Sequence, residues 1–351
     1  MNRRFFIAGL AGAASRLRAA EAEQQPIWTA GQDGYHTYRI PSLIVTKNGT
    51  LVAFIEGRKD DARDHGDIDL LVKRSTDGGR TWSKQEIVYE EGGAAKVTIG
   101  NPCPVVEEAT GMLWLPFTRD NDDVFVTSST DDGLSWSKPR MITSDVKLKH
   151  WGWYATGPGA GIQMQRGVRG RLVIPCDHGE GDARYSHVFY SDDRGTTWKL
   201  GGSAAAHTNE SQVIERRDGS LLLNSRNHLE RNGERPELGN CRAVSISDDG
   251  GLTWGMRRLD RTLVEPVCQA SLVRYSWDRI LFSNPASLRR ERMTVRSSED
   301  DGRTWRTLRV LHTGPSGYSC LARLPDGSVG CLYERGDTNY RSTVTFARFT
   351  V

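Results

Sequence analysis

No segment beyond the first 22 residues stays apolar for the roughly 20 residues that a membrane-spanning helix needs, so no transmembrane segment is expected in the mature chain. A surplus of charge is also lacking. Lys and Arg number 47 against 44 Asp and Glu, and setting aside residues 1–22, with their four Arg and one Glu, brings the formal +3 to zero. That balance argues against nucleic acid as a partner, because a phosphate backbone is held by an excess of cations. The six cysteines, Cys103, Cys176, Cys241, Cys268, Cys320 and Cys331, include no C-x-x-C pair and no metal-ligand spacing with His. They read as small buried apolar residues, with disulfides permitted but not required, and neither a metal nor a cofactor is expected. Heptads and low-complexity linkers are missing too, which leaves a single body, expected to be a monomer, as the simplest use of 351 residues.

What is present begins with Asn2-Arg3-Arg4-Phe5-Phe6-Ile7, an apolar run to Ala14 and the small residues Ala19-Ala20-Glu21-Ala22. This pattern reads as a twin-arginine export signal over residues 1–22, which places the mature protein in the periplasm or outside the cell.

Residues 23–351 are organised by repetition. An octet of the form S-x-D-x-G-x-T/S-W occurs five times, at Ser75 to Trp82, Ser129 to Trp136, Ser191 to Trp198, Ser247 to Trp254 and Ser298 to Trp305. Its chemistry is that of a hairpin tip: the Asp accepts backbone N–H groups, a Gly turns left-handed and the Trp packs back on the sheet. The Trp residues are 54, 62, 56 and 51 positions apart, about one four-stranded propeller blade with loops. A second turn lies between the octets, at Asn48-Gly49, Thr110-Gly111, Arg169-Gly170, Asp218-Gly219, Trp277-Asp278 and Asp326-Gly327, each flanked by apolar runs. Six such hairpins predict an all-β, six-bladed β-propeller of four-stranded antiparallel blades. With only five octets, the last blade is expected to borrow an N-terminal strand near Pro26 to Ala30 beside Thr343 to Phe349, which closes the ring and covers its edges.

In such a blade the start of the first strand and the end of the second emerge on one face. That rule brings Arg39, Arg58, Asp64, Glu210, Arg226, Arg290, Tyr318 and Glu334 to the mouth of the central channel. Three guanidiniums around one cavity, Arg39, Arg226 and Arg290, repel one another unless an anion sits between them. A planar carboxylate suits them, since each guanidinium can grip it with two parallel hydrogen bonds.

Tyr38-Arg39-Ile40-Pro41, Glu56-Gly57-Arg58, Asn209-Glu210-Ser211-Gln212, Gly317-Tyr318-Ser319 and Leu332-Tyr333-Glu334, together with the five octets, or Asp-boxes, resemble the signature segments of the exo-α-sialidase (neuraminidase) family. The resemblance implies that Arg39, Arg226 and Arg290 hold the sialic acid carboxylate, that Glu334 orients Arg39, and that Arg58 touches the 4-hydroxyl region. It implies Tyr318 as nucleophile, Glu210 as its proton acceptor and Asp64 as acid/base, although Asp60 and Asp61 share the Asp64 loop. The implied activity is hydrolysis of terminal α-linked sialic acid from glycoproteins, glycolipids or oligosaccharides, with retention through a glycosyl-tyrosine. Most glycosidases use two carboxyl groups, and sialidases are the tyrosine exception. A neutral phenol avoids the repulsion that an attacking carboxylate would meet at an anomeric carbon already bearing one. The rivals are a sialic-acid-binding propeller without catalysis, which would need none of Tyr318, Glu210 and Asp64, and a trans-sialidase with the same first contacts.

Overall fold

The computed structural model describes residues 22–93, 95–228 and 240–351. The export pattern therefore lies, but for its last residue, outside the described residues. The regular structure of the described residues is almost entirely antiparallel strand, with one helical turn at Thr143–Val146. The first sheet is Thr37–Val45, Leu51–Arg58, Ile68–Ser75 and Glu86–Tyr89 in simple meander order. The second and third each have a broken inner strand, Ile99–Gly100 with Val105–Val106 and Tyr154–Thr156 with Ile162–Gln163. The fourth runs from Thr208–Glu215 to Arg258–Val264.

The expectation of six separate blades is corrected here. The strands join into five sheets, four of them blade-sized and the last seven-stranded. The cause is one 18-residue strand, Arg306–Arg323. Its first part pairs with Glu291–Ser298 and its second with Val329–Arg335. The backbone stays extended through Gly314-Pro315 and carries the ladder from one half of the sheet to the other. The architecture is all-β and propeller-like. Glu23–Thr29 lies on the outer edge of this sheet, antiparallel to Thr343–Phe349.

The Asp-boxes explain how neighbouring sheets lock together. Asp77 accepts the Thr81 backbone N–H at 2.9 Å and the Thr81 hydroxyl at 2.6 Å, while the Gly79 N–H reaches Ser75 Oγ at 2.8 Å. Each tip then presses its Trp against the preceding sheet. Trp136 meets Phe54 edge-on at 5.6 Å, Trp198 meets Trp114 at 6.2 Å, and Trp82 of the first sheet meets Phe346 of the last at 5.2 Å. Gly79 sits at φ +85°, and a Cβ there would overlap the Phe346 ring. Gly79→Ala is accordingly expected to cost about 1–3 kcal/mol by overpacking and backbone strain, read as a lower urea midpoint; an unchanged midpoint would remove this contact from the ring closure.

All six cysteines are buried and free. Among the described residues no helix is long and apolar enough to cross a membrane.

Candidate active site

A bulge between Arg39 and Ser42 re-aims the start of the first inner strand, and Ile40 takes φ +64°, rare for a β-branched residue. Strain of this kind persists only where the surroundings fix it, and Glu334 does so. Its carboxylate, 0% exposed, accepts Arg39 Nε at 2.8 Å, Arg39 Nη2 at 3.3 Å, the Ile40 N–H at 3.1 Å and the Tyr318 N–H at 3.0 Å. One buried anion thus orients a guanidinium and the backbone of the candidate nucleophile together. A Cβ on Gly317 would run into the same carboxylate, which is why glycine precedes Tyr318.

Tyr318 lies in the second half of the 18-residue strand, and its hydroxyl donates to Glu210 Oε1. Arg226 Nη1 donates to both partners, to Glu210 Oε2 at 2.5 Å and to Tyr318 Oη at 3.0 Å. The Arg39 and Arg290 guanidiniums lie 4.9 and 5.4 Å from the Tyr318 ring centroid. The three arginines taken from separate sheets therefore do meet around one phenol. Arg226 Nε is buried with no hydrogen-bond partner among the described residues.

Arg58 and Asp64 complete the mouth. Arg58 Nη1 donates to Asp64 Oδ1 at 2.8 Å and to the Ala62 and Arg63 carbonyls, while Nε and Nη2 go to Glu56. Buried and so occupied, Arg58 shapes the loop that carries Asp64. Asp64 keeps 65% of its side chain exposed and stands 3.7 Å from Arg39. Asp61 in the same loop is turned to Arg63 at 2.7 Å.

Electrostatics separates the roles. Burial alone would raise Glu210, but the Arg226 charge, hydrogen bonds from Tyr318 and Arg226, and Arg290 outweigh it and hold the carboxyl below its usual range. For Tyr318, burial and then the Glu210 charge push the phenol well up, against the pull of Arg226, Arg290 and Arg39. The resting pair is a neutral phenol donating to a carboxylate. At Asp64 the cost of partial desolvation is outweighed by the Arg58 and Arg39 charges, which hold this more exposed carboxyl low as well.

The BNR repeat-like domain family matches residues 49–331. A sialidase of Micromonospora viridifaciens is 35% identical over 346 residues, covering 89% of this chain and 52% of that protein. An exo-alpha-sialidase of Arthroderma benhamiae is 31% identical over 341 residues, covering 86% and 78%. The chain belongs to the sialidase family. A solved Hadza microbial sialidase superposes with a TM-score of 0.83 at 31% identity, over 93% of this chain and 68% of that one. The chain spans about half the length of the Micromonospora relative.

Three residues at the mouth of this sialidase-family chain were not singled out from its sequence. Tyr340 accepts Arg290 Nη1 at 3.0 Å and lies under both Arg39 and Arg290, at 5.6 and 5.2 Å. Glu56 does for Arg58 what Glu334 does for Arg39, and also accepts the Asn101 N–H at 3.0 Å. Asp177 is 1% exposed, and neither of its oxygens has a hydrogen-bond partner among the described residues. Burial, then the Glu210 charge, push it well up despite Arg184 and Arg226, favouring the neutral acid beside Glu210. Tyr340 sits in an irregular loop, and the other two sit within strand patterns that do not say which neighbour they face.

Beside Asp177 lies a buried pair, His178 Nδ1 to His187 Nδ1 at 3.0 Å, with Trp151 stacked on His178 at 3.4 Å and Tyr154 Oη at 3.0 Å from His187 Nε2. Burial, then charge from the neighbouring cations, pushes His178 down to about 3; burial and then His178 push His187 down. Both titrate near 6.5 when unfolded, so below that pH the unfolded chain binds protons that the folded chain refuses. Stability is expected to be full above pH 6.5 and to fall toward pH 3, by up to about 1.4 kcal/mol per unit for each His. Urea midpoints at pH 7 and 5 check this, and His187→Gln should flatten the slope.

Proposed function

We propose that this chain is a retaining exo-α-sialidase that releases terminal α-linked sialic acid from glycoproteins, glycolipids or oligosaccharides. The observation that carries the proposal is the convergence of Arg39, Arg226 and Arg290 on a phenol that donates to an ionised Glu210. The substrate carboxylate sits among the three guanidiniums. As Tyr318 Oη attacks the anomeric carbon, its proton passes to Glu210, and the bond to the leaving glycan breaks with a proton from Asp64. Water, activated by Asp64, then displaces the tyrosine, which recovers its proton, and two inversions give retention.

Asp64 is low in the free protein because Arg39 and Arg58 face it. A bound carboxylate engages Arg39 and excludes water, which moves Asp64 up toward the range a general acid requires. Arg58 acts first by holding the Asp64 loop. Export by the twin-arginine pattern belongs to the same proposal, so that an enzyme acting as a monomer meets glycans outside the cytoplasm.

Purified protein incubated with a fluorogenic α-sialoside is expected to release the fluorophore, with the α-anomer of free sialic acid appearing first by NMR. First appearance of the β-anomer refutes the retaining step, and binding without release leaves a lectin. Transfer to added lactose in preference to water marks a trans-sialidase.

A further inference from the structure

The phenol and its proton acceptor come from different sheets, so something must fix their separation. Resting on the reading of Tyr318 and Glu210 as the reacting pair, we propose that Gln212 and Gln269 are positioning residues that set it through the carbonyl of Pro158. Gln212, two residues beyond Glu210 on the same strand, donates to Pro158 O at 3.3 Å. Gln269 donates to the same oxygen at 3.2 Å. Its side chain also brackets the residue next to the nucleophile, accepting the Ser319 N–H at 3.0 Å and donating to the Ser319 carbonyl at 3.0 Å.

One carbonyl is thus the shared anchor of the two strands. The segment that carries it is held on both sides, because Ser42 Oγ of the first sheet donates to Gly159 O at 2.6 Å and the Ser211 N–H reaches Gly157 O at 3.4 Å. Both glutamines are buried, at 2% and 0% exposure, and a Cβ on Gly159 would overlap the Gln212 amide. These side chains are amides, so they add no charge to a cavity already set by three arginines. The Gly157-Pro158-Gly159 segment therefore acts as a floor whose hydrogen bonds fix the gap across which the Tyr318 proton moves.

The experiment compares wild type with Gln269→Met and Gln212→Met on a fluorogenic α-sialoside over pH, with the affinity of a 2,3-unsaturated sialic acid analogue measured alongside. Each variant is expected to lose at least 10-fold in kcat with KM and analogue affinity within threefold. The acid limb of kcat should also move to higher pH, since a longer Tyr318 hydrogen bond holds Glu210 less firmly ionised. Unchanged kcat in both variants overturns the proposal, as does an equal loss in kcat and analogue affinity without movement of the acid limb. If Gln269→Met does not fold, Gln212→Met decides alone, and if neither folds the anchors are structural and the proposal fails. A wild type that turns over no sialoside refutes the enzymatic reading instead, and is told apart by that control.

Discussion

Tyr318→Phe is expected to lower kcat on an α-sialoside by about 10³-fold or more while leaving the fold in place. The substitution removes one oxygen. Glu210 keeps Arg226 at 2.5 Å, and the ring keeps its place between Arg39 and Arg290, so the arginine grip survives. The stability change should be near the net worth of one hydrogen bond, about 1 kcal/mol. Binding of a sialic acid analogue should persist, because the carboxylate is held by guanidiniums rather than by the phenol. The combination separates chemistry from structure: lost turnover with retained affinity and retained Tm identifies the nucleophile. Collapse of the fold would make Tyr318 a packing residue, and retained turnover would transfer the attack to water or another group.

The alternation of Asp-boxes and Asn48-Gly49-type turns was enough to place eight dispersed residues on one face, because a meandering sheet returns its first and second strands to the same end. It was not enough to count sheets. Arg306–Arg323 joins two units without interruption, and neither glycine nor proline at 314–315 marks whether the ladder continues. The arginines were legible because three like charges demand an explanation wherever they meet. Asp177 was not, since Leu172–Glu180 reads as an ordinary strand and only the Glu210 and Arg226 of the next sheet make a carboxyl there unusual. Gln212 and Gln269 escaped for a related reason: a buried amide has no titration or charge signature, and its meaning lies in the shared Pro158 carbonyl.

Glu334→Gln should be the most damaging change outside the reacting pair, although it conserves size. The carboxylate accepts four donors, Arg39 Nε and Nη2, Ile40 N–H and Tyr318 N–H, with no exposed surface. An amide in its place can keep the Oε1 side, but its NH2 then points at Arg39 Nη2 and the Tyr318 N–H, donor against donor. Removing one partner of a buried ion pair typically costs about 3–5 kcal/mol because the remaining charge is stranded. Here the stranded Arg39 has a new partner within reach, Asp64 at 3.7 Å. Tightening that contact would hold Asp64 more firmly ionised, against its role as proton donor, and would occupy a guanidinium meant for substrate. Glu334→Gln is therefore expected to lower the urea midpoint, raise KM and lower kcat together, with kcat/KM down by about 10²-fold or more. Loss of stability with normal kinetics in the folded fraction would confine Glu334 to the core, and normal stability with normal KM would mean that Arg39 is oriented by other contacts.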